Sequence, residues 1–392
     1  MNIGKYGYFP LNLTQESEER ARHIHEKSII IDALYQGPLS PYSLSKESEE
    51  VVLKAAEPYY DETDKVKMKM YMFREQRTMV QMAIDGILPE FRDCWYDSGI
   101  TAGNRQLGIE ELLGSMATVG VVQQQFDRFP WLIKALTAKD IERAKKEDKK
   151  AGFISIQETV GLGQSLELLE TFHMFGLRMV HLTYNTHNFV GAGCMERNDA
   201  GVSNFGKRFI ERLNDLNILV DTGHSGKQTT LDACKLSRAP VVASHTCVES
   251  IHAHRRAKSD DEIRAIADSG GVIGIVAVPH FLRADFENAS VNDVVDQMDY
   301  IIDLVGEDHV GIGTDWPMTN TLKFMLLLKN HYAPSLEFSS DEVPSTEVIE
   351  GFTEYRQMIN FTRAMVARGY SDTRIEKILG GNWMRVFGEV WK

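Results

Sequence analysis

The feature that most limits the fold of this chain is a repeated exchange between two local patterns. Short runs of apolar and β-branched residues alternate with longer stretches of helical spacing. Ile218–Asp221 and Val241–Ser244 are two such runs, and Lys227–Leu236 (KQTTLDACKL) between them reads as a helix. Two strands joined through a helix pair in parallel, because a hairpin is too short to return the chain to the same end. Six more runs follow the same rhythm: Ile29–Asp32, Gly99–Leu107, Phe153–Ile156, Met179–Leu182, Val272–Val276 and His309–Ile312.

Eight strands alternating with helices are the content of an α/β fold of the (β/α)8 TIM-barrel type, here with extra helices at the N- and C-termini. An open doubly wound sheet is the alternative. No GxGxxG or GxxxxGK[ST] follows any run, so nucleotide binding lacks support. The helices carry their own stop and start signals. Thr14, Thr137 and Ser203 stand where N-caps belong, and Gly176 ends the stretch Leu166–Phe175. The expectation is one domain over residues 1–392, with a helical N-terminal region and insertion at about 36–98 and a polar insertion at about 317–350. A single helix is expected over 351–368.

Composition narrows the partners. A net charge of -13 opposes binding to nucleic acid or to an anionic membrane. Cys94, Cys194, Cys234 and Cys247 are scattered without a CxxC pair, as in a reducing compartment. The first residues lack the apolar core of a signal peptide, and no apolar run has bilayer length. A cytoplasmic protein acting on a small molecule is expected.

In a parallel α/β fold the carboxyl ends of the strands form the working face. His224 and His245 stand at or just beyond the ends of consecutive strands. Side chains alternate along a strand, so Gly311, Gly313 and Asp315 share one parity, and Asp315 falls beside the two imidazoles. Two histidines and an aspartate form a metal-binding or an acid/base set. The plainer readings are a packed histidine pair and an aspartate that caps a turn. Arg256 could hold a substrate carboxylate in a bidentate fork or belong to a solvated basic loop. Tyr184 could donate to a carbonyl oxygen or simply pack inside.

Several long motifs carry a family resemblance from about Phe153 onward: LLETFHMFGLRMVHLTYN, GVSNFGKRFIERLNDLNILVDTGHSG, PVVASHTCVESIHAHRRAKSDDEIRAIADSGGVIG, DHVGIGTDW and GGNWMRVFGEV. Together they resemble the membrane (renal) dipeptidase family of the amidohydrolase superfamily. The resemblance implies a metal-bearing barrel that hydrolyses dipeptides, usually with two zinc ions, and a homodimer. By motif, His224 and His245 look like ligands of the second metal and Asp315 like the catalytic acid/base. Arg256 looks like the grip on the substrate carboxylate, and Tyr184 stands where the family has a carbonyl-polarising histidine.

The chain departs from the family at the first metal. Leu34 and Gln36 take the places of a histidine and an aspartate, and Gln157 takes the place of the bridging glutamate unless the loop presents Glu158 instead. A neutral amide is a poor bridge between two dications. The expectation is therefore zero or one zinc ion rather than two, held by His224, His245 and Glu158, with Gln157 and Gln36 left to contact substrate. The first reading is a dipeptidase-like hydrolase of an amide or C–N bond with at most one metal. The alternatives are a metal-independent lyase or isomerase on the same barrel, and a catalytically dead binding module.

Overall fold

Ten strands are present in a computed structural model that describes residues 7–107, 112–327, 330 and 348–392. They are β1 (Ile31–Asp32), β2 (Ala102–Leu107), β3 (Leu132–Lys134), β4 (Lys150–Ile156), β5 (Leu177–His181), β6 (Leu219–Asp221), β7 (Val241–Val248), β8 (Ala257–Lys258), β9 (Ile273–Ile275) and β10 (Val310–Ile312). The order β2-β1-β10-β9-β7-β6-β5-β4 is closed by pairing of β4 back onto β2. All these pairs are parallel, so eight strands form a ring. This is the (β/α)8 barrel expected from the alternation, and each expected run became a ring strand.

Two strands lie outside the ring and were not expected. β3 pairs with β4 at Leu132↔Lys150, along the edge that β5 takes only from Ile154 onward. β8 pairs with the far end of β7 at Cys247↔Ala257. Both are too short to show a period of two. β8 also explains a shifted boundary: with a partner beyond Ser244, β7 continues to Val248 and His245 lies within the strand.

β4 and β7 are buried along their whole length, as strands with side chains packed on both faces must be. Between ring and helices pack Leu169, Phe172, Phe205, Phe209 and Leu213. The helices at 166–174 and 204–215 supply these residues and begin at Ser165 and Ser203, whose hydroxyls accept from Leu168 N and Gly206 N. The last helix, Asn382–Val390, buries Trp383 against β10, where its indole N–H donates to Ile312 O at 3.2 Å.

The expected helix at 351–368 is broken. A short turn, Tyr355–Gln357, precedes a helix at Ile359–Ala367. The break lets the buried Tyr355 ring pack edge-on against Tyr35 at 4.7 Å and brings its hydroxyl to Pro317 O at 3.1 Å. Helices at Lys46–Ala56, Lys65–Ile84 and Glu90–Asp97 occupy the region expected to be helical near the N-terminus. Of the polar insertion, the helix Leu322–Leu327 is described, while 328–329 and 331–347 lie outside the described residues. All four cysteines are free, and among the described residues no helix is long and apolar enough to cross a membrane.

Two glycines set the closeness of the ring where the site forms. A Cβ at Gly274 would lie 2.0 Å from Ser244 O, and one at Gly313 would lie 1.8 Å from the same atom. Only a residue without a side chain lets both neighbours approach β7 there.

Candidate active site

The groups expected at the mouth of the barrel meet there. His245 Nε2 lies 2.9 Å from His224 Nε2 and 4.0 Å from Asp315 Oδ2. Gln157 reaches inward as its parity required, with Nε2 3.4 Å from His245 Nε2 and Oε1 accepting from Gln106. Gln36 Nε2 donates to Asp315 Oδ1 at 2.7 Å. Tyr184 stacks on His224, with ring centroids 4.1 Å apart and planes 23° apart.

Asp315 is held by its backbone. Thr314 N and Oγ1 donate to Asp32 at 2.9 and 2.5 Å, and Asp315 N donates to Leu34 O at 2.9 Å. These bonds tie the end of β10 to the exit of β1 and turn Asp315 into the left-handed region at φ 57, which aspartate tolerates better than most residues. Burial pushes the Asp315 carboxyl up to about 7; the Arg256 charge and the Gln36 hydrogen bond oppose the rise, and Asp32 adds to it. Asp32, fully buried, is pushed up to about 6 by the same loss of water, against the hydrogen bonds from Thr314 and Leu34.

Behind His245 runs a hydrogen-bonded chain that the sequence reading did not contain. Ser244 Oγ lies 2.8 Å from His245 Nδ1 and 3.1 Å from His181 Nε2, and His181 Nδ1 lies 3.2 Å from Ile156 O. At the other end, His224 Nδ1 is 2.7 Å from the Asn185 side-chain amide. Asp221 Oδ2 lies 3.0 Å from His181 Nε2, off the line of a hydrogen bond. Burial, more than any charge, holds all three imidazole pKa values down, most strongly for His224 and His245.

The contacts of three neutral rings set where their protons lie. Ile156 O accepts from His181 Nδ1, so His181 Nε2 accepts from Ser244. Ser244 then accepts from His245 Nδ1, which leaves His245 Nε2 with its lone pair. His224 Nδ1 donates to Asn185 Oδ1, which leaves the His224 Nε2 lone pair facing that of His245. His181 ends β5 within the quoted run RMVHLTYN. Its signal was available: a histidine at the carboxyl end of a ring strand next to those of β6 and β7.

Glu158 is a correction. The expected ligand set His224, His245 and Glu158 is not assembled, because the Glu158 carboxylate is consumed by its own loop. It accepts from Thr159 N at 2.5 Å, Val160 N at 3.2 Å and Tyr184 N at 2.9 Å, and from the Asn188 amide. It therefore organises the loop after β5. Glu158→Gln places an NH2 among these donors, and we expect it to cost about 2–4 kcal/mol in urea unfolding. An unfolding midpoint equal to that of the parent would show that the carboxylate does not hold the loop.

The donors do not fit the two-metal centre implied by the family. Among the described residues, no three His, Cys, Asp or Glu side chains are gathered closely enough to hold an ion. The two Nε2 atoms, 2.9 Å apart, can both turn lone pairs to a single ion, but a binuclear centre needs more donors than this pair. The remaining nearby oxygens are a neutral amide, Gln157, and Asp315; a catalytic zinc ordinarily has three protein ligands.

Residues 18–327 match the model of the membrane dipeptidase family, peptidase family M19. The chain belongs to the membrane dipeptidase family. Among curated members it is 28% identical over 255 residues to the dipeptidase tcpJ of Claviceps purpurea (strain 20.1), covering 64% of this chain and 54% of that protein. It is 27% identical over 266 residues to an uncharacterized protein in the pqqA 5' region of Klebsiella pneumoniae, covering 66% and 88%. The chain thus spans about half the length of the Claviceps relative. The fold is shared with an amidohydrolase from Pseudomonas aeruginosa, at TM-score 0.73 and 24% identity over 95% of this chain and 99% of that one. It is also shared with the probable dipeptidase PvdM from Pseudomonas aeruginosa, at TM-score 0.69 and 20% identity over 97% and 99%. A metallopeptidase from Rhodobacter sphaeroides, liganded with a phosphinate mimic of the dipeptide L-Ala-D-Ala, aligns at TM-score 0.64 and 20% identity over 76% of this chain and 89% of that one.

Proposed function

We propose that this member of the dipeptidase family hydrolyses a C–N bond in a small carboxylate-bearing substrate without a binuclear metal centre. The observation that carries the reading is Asp315 at the barrel mouth, 4.0 Å from His245 Nε2 and with its carboxyl raised to about 7. Such a group is poised to exchange protons near neutrality. Arg256 anchors the substrate carboxylate; its guanidinium is buried, and among the described residues it hydrogen-bonds to the Gly223 and His245 carbonyls rather than to an acid. Asp315 takes a proton from water as the oxygen attacks the substrate carbonyl, and returns it to the leaving nitrogen. Tyr184 polarises the carbonyl from one side, and Gln36 and Gln157 hold substrate from the other.

The same groups support a second reading, a lyase or isomerase that moves a proton on carbon. The neutral replacements Leu34, Gln36 and Gln157 favour it, since they remove the charged ligands that a strong Lewis acid would need. Oxygen-18 water and deuterium oxide separate the two. A hydrolase places solvent oxygen in the product carboxylate, whereas an isomerase exchanges a substrate C–H for C–D. Protein purified without chelator should contain less than about 0.1 equivalent of zinc and keep its activity in EDTA. Stoichiometric zinc, lost together with activity in EDTA and absent from His224→Ala, would overturn the metal-free reading.

A further inference from the structure

The loops leaving the neighbouring strands β7 and β9 carry a set of basic groups that the reaction does not use. His252 and His254 follow β7, and His280 and Phe281 follow β9. His254, His280 and Arg256 surround one phenyl ring: the two imidazole centroids each lie 4.6 Å from that of Phe281, and Arg256 Cζ lies 5.5 Å from it. The two imidazoles are 6.0 Å apart.

Their hydrogen bonding is incomplete. Arg256 N donates to His254 Nδ1 at 3.1 Å, so Nδ1 is the acceptor and Nε2 carries the proton of the neutral ring. That Nε2–H is buried with no partner. His280 is 7% exposed, and neither of its ring nitrogens has a partner. Buried donors of this kind cost free energy until an acceptor arrives. The charged residues that act on His254 are basic. Burial holds His254 down to about 3, and the charges that push it further are His280, Arg256, His252 and Arg255, all basic. Burial likewise holds His280 down to about 4.

We propose that His254 and His280, together with Arg256, form a subsite for a second carboxylate, so that the preferred substrate carries two carboxylates at the end bound by Arg256. This rests on the mouth of the barrel being the substrate site. Arg256 takes one carboxylate through its fork, and the His254 and His280 N–H groups donate to the other. Phe281 is the apolar floor between them, covering the short methylene link of the diacid.

The test reads binding alone, on the full chain, by calorimetric titration of glutarate and succinate against butyrate. The parent protein should bind at least one of the diacids about tenfold more tightly than the monoacid, as expected for an added hydrogen-bonded charge. His280→Phe and His254→Gln should each bring diacid affinity close to that of butyrate and leave butyrate binding unchanged. If His280→Phe does not fold, His254→Gln alone decides. Equal affinity for monoacid and diacids in the parent, or a preference unaltered in the folded variants, would overturn the subsite. Loss of the hydrolase reading looks different: no C–N substrate turns over, while the diacid preference and its dependence on the two histidines persist.

Discussion

Asp315→Asn should lower kcat by about 10²–10⁴-fold while KM for carboxylate-bearing substrates stays near the parent value. Asparagine keeps the shape and can still bond to Gln36, but it cannot take a proton. Because the base acts ionised and its carboxyl is raised to about 7, kcat/KM of the parent should climb as pH rises through about 7 and level off above it. Stability moves the other way. The folded pKa lies above the ordinary value of 3.8, so the contribution of this group is fully present below about 3.8 and is lost as pH rises through about 7. Asp315→Asn should therefore be more stable than the parent at pH 8, by about 1–2 kcal/mol once the partial exposure of the group is allowed for, and no more stable at pH 4. Steady-state kinetics and urea unfolding at the two pH values check both halves. Unchanged kcat in a folded Asn variant would remove Asp315 from the chemistry.

Arg256→Met should raise KM for carboxylate substrates by about 100-fold and change kcat far less, because the fork grips the substrate equally in the ground and transition states. Methionine fills the stem of the side chain above Phe281 but offers nothing to an anion. Arg256→Lys returns charge without the two-pronged geometry and should recover only part of the affinity. An amide analogue of the same substrate, with no carboxylate, should show no difference between parent and Met variant. A substitution that lowers kcat and leaves KM untouched would mean that Arg256 serves the reaction rather than the grip.

Much of the site was legible because strand ends in a barrel converge. His224, His245 and Asp315 come from positions that local spacing identifies, and the closed ring brings them within 4.0 Å of one another through His245. Gln157 was also legible, since side-chain alternation from Ser155 fixes its direction. Glu158 was not. Its partners Tyr184 and Asn188 sit on a loop far along the chain, and no local pattern announces their amides. Ser244 went unread because it looks like an ordinary strand residue until β5 and β7 are brought near each other, whereas the place of His181 at the end of β5 was readable. The short strands β3 and β8 stayed hidden because two or three residues carry no period.

The sequence by itself determined the alternation of strand and helix, hence a parallel ring with its working face at the strand ends. Backbone sterics and apolar spacing are local properties and need no knowledge of distant partners. It also determined that His224, His245 and Asp315 stand at or near that face. Only the tertiary structure decided how those groups behave: that two imidazole Nε2 atoms lie 2.9 Å apart, that Glu158 turns into its loop, and that the Asp315 carboxyl is raised. Those outcomes depend on distances across the ring and on exclusion of water, which exist only after the strands have closed.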